Sequence, residues 1–278
     1  MEDTNDYDAT DLTIFLIFTF VFSWTLWIPS LLSSFGLIEH LLFFNGLRVL
    51  GSFGPFIVAF SLTLYRKGFV GVRALWKRGW HYENGKFLYI SLFLIPLLSY
   101  FSISLASISE GDIFTKFKHY EHFGEIVIES IFTFFFGGPF QEEFGWRGYA
   151  LDQLQLKWTA LESSITVGGI WSMWHFPLFF IYGSAHYQQI FFGFITTTMI
   201  LSILWTWVYN NTGRSILMMM IIHTSYNMSV TFLPLNATVL GQFYFIIMLD
   251  ILLVIILFIY GTDKLVRNSK KYNIIKRE

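Results

Sequence analysis

Residues 132–149 read FTFFFGGPFQEEFGWRGY. A run of aromatic residues ends in Gly-Gly-Pro, and Glu142, Glu143 and Arg147 follow at once. Charge is scarce in this chain: 13% of its 278 residues are charged, 54% are hydrophobic, and the mean hydropathy is +0.55. A water-soluble domain of this size needs more charge to cover its surface. Several apolar stretches approach or exceed about eighteen residues, enough to cross a bilayer as a helix. They are continuous rather than alternating, which argues against a β-barrel. The composition therefore predicts an all-α, polytopic integral membrane protein.

About eight transmembrane helices fit the hydropathy pattern, near 12–35, 43–65, 87–107, 124–141, 162–182, 189–209, 215–233 and 242–262. The second, fourth and seventh are the weakest, because each carries glycine, proline or polar residues. Gln141 to Thr159 is too polar to cross lipid alone and is expected to extend the fourth span as a helix at the cytoplasmic face. No repeat and no soluble segment stands out, so residues 1–278 are expected to form a single transmembrane domain. The absence of cysteine removes disulfide and thiolate chemistry. The acidic start MEDTNDYDATD lacks the basic region of a signal peptide, so the first apolar segment is expected to stay as a membrane helix.

Twelve of the eighteen basic residues fall in two places. One is the loop 66–86, with Arg66, Lys67, Arg73, Lys77, Arg78 and Lys86. The other is the tail 264–278, with Lys264, Arg267, Lys270, Lys271, Lys276 and Arg277. The positive-inside rule places both in the cytoplasm. An even number of expected spans lies between them, so the two assignments agree and both termini are expected to be cytoplasmic. Lys116 and Lys118 fall in an expected outer loop, in the company of Glu110, Asp112 and Glu121. The loop GFVGVRALWKRGWHYENGK mixes aromatic and basic residues, as a short basic linker or a segment lying on the inner membrane surface would.

Ionisable groups within membrane helices are costly and usually face a bundle interior or a cavity. Here they are Glu129, Glu142, Glu143, Arg147, His175, His223 and Asp250. Glu143 precedes Arg147 by four residues, in the favourable order for a helical ion pair. That leaves Glu142 on another face, where low dielectric would raise its pKa and suit it to take a proton from water and return it. The local alternative is that both glutamates tie down a helix end. His175 lies in GGIWSMWHFPLFF, after a Gly-Gly that lets helices approach closely. It either bonds a neighbouring carbonyl or belongs to a packed site. His223 and Asn227 share one helical face, so they could donate to an oxyanion or join two spans without chemistry. Two histidines and a carboxylate also make a zinc set. Glu142, His175 and His223 are the candidate ligands for such a divalent metal. The H-E-x-x-H spacing is absent.

EEFGWR at 142–147, WSMWHFP ending its FxxxH-like part at His175, and HTSYN at 223–227 resemble, in order, the motifs of the CPBP intramembrane protease family. That family includes the Rce1-type CAAX prenyl endopeptidases and the bacterial Abi-type proteins. The motif region covers about 120–235, and the resemblance implies an Rce1-like helical bundle. It implies that Glu142 activates water with help from His175, and that His223 and Asn227 stabilise the tetrahedral oxyanion. Glu143 and Arg147 support the site. In metal-centred versions of the mechanism the histidines are ligands; the metal-independent glutamate version is slightly favoured. Trp171 stands where phenylalanine is usual in the prenyl endopeptidases. That substitution, with a Phe-, Ile-, Lys- and Asn-rich composition of bacterial character, points away from prenylated CAAX substrates.

The expected function is an intramembrane endopeptidase acting on a membrane-associated protein or peptide, in a cavity opening to the cytoplasm of a bacterial cell. The lipid bilayer is its other partner, and no nucleic acid is involved. The alternative is a non-enzymatic immunity or partner-binding membrane protein, in which the same polar set joins helices. A transporter using Asp250 or Glu129 finds no inverted repeat to support it.

Overall fold

A computed structural model describes residues 9–82, 85–111, 123–187, 189–233, 235 and 238–267. The acidic start 1–8, the residues Asp112, Lys116, Lys118 and Glu121 of the expected outer loop, and the tail beyond Arg267 lie outside the described residues. Every regular element among the described residues is helical. The long ones are α1 (Ala9–Ser34), α3 (Gly54–Arg78, preceded by α2, Phe43–Ser52), α4 (Gly85–Glu110), α9 (Phe191–Asn210) and α11 (Val239–Tyr260). Between them come α5 (Phe123–Phe136), α6 (Pro139–Gly145), a π-helical turn (Trp146–Leu151), α7 (Asp152–Leu154), α8 (Ala160–Trp174), a 3-10 turn (Phe176–Phe180) and α10 (Ile216–Phe232).

The helix starts follow from local chemistry. Thr159 and Glu162 form a capping box for α8: the Glu162 amide donates to the threonine hydroxyl at 3.2 Å and the Thr159 amide to the carboxylate at 2.9 Å. Ser215 accepts the Met218 amide at the start of α10, and Thr238 the Gly241 amide at the start of α11. Within the helices, hydroxyls that lipid cannot solvate donate back one turn, as Ser172 does to the Gly168 carbonyl at 2.7 Å and Thr206 to Ser202 at 2.8 Å. Large apolar side chains such as Phe18, Ile128 and Phe258 face outward, the inverse of a soluble surface and the expected face toward acyl chains.

The expectation of about eight spans is not met. Among the described residues four helices, α1, α4, α9 and α11, are long and apolar enough to cross a membrane, or five crossings if α2 and α3, bent by 47° at their junction, count as one. The other expected spans are shorter: α5 has 14 residues, α8 has 15 and α10 has 17. At 1.5 Å per residue these reach roughly 21–26 Å, against a hydrocarbon core of about 30 Å. A hydropathy window counts apolar residues and does not know whether their neighbours are lipid or protein. In α8 and α10 much of the apolar surface is spent on the other helices: α8 packs along α9, and α10 along α4.

The polar stretch after α5 also departs from expectation. It does not extend α5 along the membrane face. The chain breaks at Gly138, whose φ of +114° no other residue adopts readily. It restarts as α6 and the π-helical turn, buried from Gln141 to Leu151 against α3, α8 and α10. At the far end of this insert, Asp152 pairs with Arg78 at 2.8 Å and Arg214 at 3.5 Å, and the Tyr209 hydroxyl lies 2.9 Å from the same carboxylate. Asn210 and Asn211 donate to the Lys264 and Leu265 carbonyls. One end of the bundle is thus tied by a polar network.

Candidate active site

Four elements bring the polar residues together. α6 carries Glu142 and Glu143, the π-helical turn Arg147, the C-terminal end of α8 Trp171 and His175, and α10 His223 and Asn227. The two glutamates part company as the spacing predicts. Glu143 accepts from Arg147 Nη1 at 2.9 Å, and both side chains are fully buried. Arg147 lies between the rings of Trp171 and Trp205, 4.8 and 4.6 Å from their centroids. The aromatic faces supply part of the stabilisation that water would otherwise give a buried cation.

Glu143 has a second partner that the sequence does not announce. His223 Nδ1 donates to its Oε1 at 2.7 Å, which fixes the ring and leaves Nε2 as its free nitrogen. A methyl group built on Gly138 would sit 2.7 Å from Glu142 Oε1 and 3.4 Å from His223 Nε2. Glu142 and His223 therefore flank the space that the glycine leaves empty. The Asn227 amide donates to the Gly137 carbonyl at 2.8 Å and keeps its second N–H.

Trp171 has the widest set of contacts. Its indole N–H donates to Glu142 Oε2 at 2.5 Å, its carbonyl accepts from His175 Nδ1 at 2.8 Å, and its ring faces Arg147. A phenylalanine could supply the ring and the carbonyl but not the N–H. Burial lifts the Glu142 carboxyl above the usual carboxylate range, while the charge of His223 and the Trp171 N–H oppose the rise.

Glu142, His175, His223 and Asn227 line one cavity of about 330 Å³. Glu129 reaches its wall as well, from α5. Asp250 does not. The wall also contains His186, from the segment before α9, which sequence reasoning missed. Its ring stacks on Phe179 and stands 5.0 Å from that of His175, its Nδ1 is buried without a partner, and burial lowers its pKa to about 4. It belongs to no motif and lies in a polar loop, so nothing in the sequence marks it.

Glu142, His175 and His223 share the cavity, but among the described residues no three His, Asp or Glu side chains are grouped to hold an ion. As arranged, these three side chains do not form such a group.

A family model described as type II CAAX prenyl endopeptidase Rce1-like matches residues 125–229, which contain all four candidate residues. The chain is also similar to a protein named CAAX prenyl protease 2 from Methanococcus maripaludis, 28% identical over 237 residues, covering 80% of this chain and 85% of that protein.

Proposed function

We propose that this chain, as a member of the Rce1-like CAAX prenyl endopeptidase family, is an intramembrane endopeptidase whose base is Glu142. The observation that carries the reading is the single cavity lined by Glu142, His175, His223 and Asn227. Water held beside Glu142 and His175 attacks the carbonyl carbon of a peptide bond, and its proton passes to Glu142. The carbonyl becomes a tetrahedral oxyanion, which accepts hydrogen bonds from the free N–H of Asn227 and from protonated His223 Nε2. Glu143 opposite Nδ1 balances the charge of that imidazolium. Collapse breaks the C–N bond, and the proton on Glu142 goes to the leaving amine. Trp171 and Arg147 hold the acid pair in register and touch no reacting atom.

The substrate is a membrane-associated protein or peptide, met within the bilayer. Trp171 at the position where the prenyl endopeptidases carry phenylalanine argues against a prenylated one. The substrate search is a comparison of membrane peptides by mass spectrometry in cells carrying the wild-type protein or Glu142→Gln. The expected result is a precursor that accumulates in the variant and fragments confined to the wild type. Identical peptide profiles at equal protein levels would contradict hydrolysis. They would favour a role in immunity or partner binding.

A further inference from the structure

Hydrolysis at Glu142 leaves one carboxylate of the cavity without a task. Glu129, on α5, lines the same wall as Glu142, His175, His223 and Asn227. It is partly exposed, and among the described residues it makes no hydrogen bond and no ion pair. α5 reads FGEIVIESIFTFFF, and its charged residues are Glu125 and Glu129. Glu125 sits in the first turn, where a carboxylate suits the positive end of the helix dipole. Glu129 sits in the second turn, where that benefit has faded. An ionisable group on so apolar a helix calls for a partner or a wet cavity. Glu129 has the cavity.

Its place in that cavity is set by helical spacing. Glu129, Thr133 and Gly137 follow at intervals of four and line the cavity together. His223, Asn227 and Thr231 repeat the interval on α10 and line it too. The two rows meet where the Asn227 amide donates to the Gly137 carbonyl at 2.8 Å. The proposed reacting groups lie at that meeting point, and Glu129 lies two turns away along α5. The eight-residue step from Gly137 back to Glu129 is roughly 12 Å of helix. An extended peptide covers about 3.3 Å per residue. With its scissile bond beside Glu142, a peptide therefore brings the residue three or four positions away alongside Glu129. The wall holds no lysine or arginine, and Arg147 is fully buried and paired with Glu143. A low-dielectric cleft lined by one sign of charge draws the opposite sign.

We propose that Glu129 is a specificity-determining residue, which receives the ammonium or guanidinium group of a substrate lysine or arginine about three or four residues from the scissile bond. This rests on the hydrolytic reading above and narrows its substrate class to membrane-associated peptides with a basic residue close to the cleaved bond. Glu129 touches no reacting atom. A cation that leaves water for the cavity meets a carboxylate already in place, whereas an acidic residue at the same position meets a like charge.

Binding is tested apart from turnover. Full-length Glu142→Gln, held in nanodiscs of zwitterionic lipid, is exposed to a synthetic library of short amphipathic peptides with randomised polar positions, and the retained peptides are sequenced by mass spectrometry. Lysine and arginine should be enriched about tenfold over the library, the size of one partly exposed ion pair between partners. Adding Glu129→Gln should abolish the enrichment, and adding Glu129→Lys should turn it toward aspartate and glutamate. Adding Glu125→Gln, one turn away and outside the cavity wall, should preserve it. Retained peptides without a basic bias overturn the proposal, as does a bias that outlasts Glu129→Gln or is lost equally with Glu125→Gln. The same library incubated with the wild type tests hydrolysis. Enrichment without any cleavage would contradict the hydrolytic reading alone. Cleaved bonds with no basic residue within about four positions would overturn the role of Glu129 and leave hydrolysis standing.

Discussion

At the scale of single residues, the doublet Glu142–Glu143 was legible because adjacent helical positions diverge and Arg147 stands four residues on. Its wider setting was not, because His223 lies 80 positions from Glu143 and spacing says nothing about so distant a pair. The same holds for Trp171: its place in a motif is readable, its N–H on Glu142 is not. That bond leads to a prediction. In the proposed mechanism Glu142 works as a base when ionised, so activity should be present above its pKa and lost as pH falls through it. Its pKa already lies above the usual carboxylate range, chiefly through burial, and the Trp171 N–H opposes the rise. Trp171→Phe removes that opposition and raises the pKa further. The acid limb of the kcat/KM profile should move to higher pH, with a plateau loss of about tenfold, or about 1.4 kcal/mol. An unmoved limb would mean that the N–H does not act on the base. Arg147→Ala tests the support of Glu143. Removing one partner of a buried ion pair leaves an uncompensated charge and costs about 3–5 kcal/mol, so the melting temperature in detergent should fall sharply. A variant that melts with the wild type would show that Glu143 does not depend on this cation.

At the scale of elements, the ends of α1, α4, α9 and α11 fall close to the stretches that hydropathy picks out, because a long helix facing lipid is written in its composition. The second stretch was harder, since the break at Phe53 between α2 and α3 lies inside one apolar run. The Gly-Gly before His175 was readable as a close approach, but only one of the two makes it. A methyl group on Gly168 would meet Met199 Cα at 2.9 Å and the Thr198 carbonyl at 3.2 Å, whereas nothing lies within 4 Å of one on Gly169. Backbone atoms of α9 cannot swing aside as a side chain does. Gly168→Val should therefore cost about 1–3 kcal/mol through forced separation of α8 and α9, and should also lower activity by shifting Trp171 and His175. Gly169→Val should stay within about 0.5 kcal/mol of wild type. Thermal melting of the pair checks this, and equal shifts would contradict the close packing of α8 on α9.

At the scale of the whole molecule, the residues that carry the proposed chemistry sit on the short elements, α6, α8 and α10, enclosed by longer ones. This is why the number of membrane crossings was misread. An apolar run bordering a site is spent on protein neighbours, and hydropathy alone gives it the signature of a lipid-facing helix. The enclosure also suits the proposed chemistry, because a carboxylate kept from bulk water is a stronger base toward a water bound beside it. The most direct test of the central claim is hydrolysis by purified protein in lipid vesicles, with a cleaved membrane peptide as substrate and heavy-oxygen water as solvent. The wild type should place the heavy oxygen in the new carboxyl terminus, and Glu142→Gln, folded and melting as the wild type does, should lose about 10²–10⁴-fold in rate. Cleavage by Glu142→Gln at the wild-type rate would contradict it.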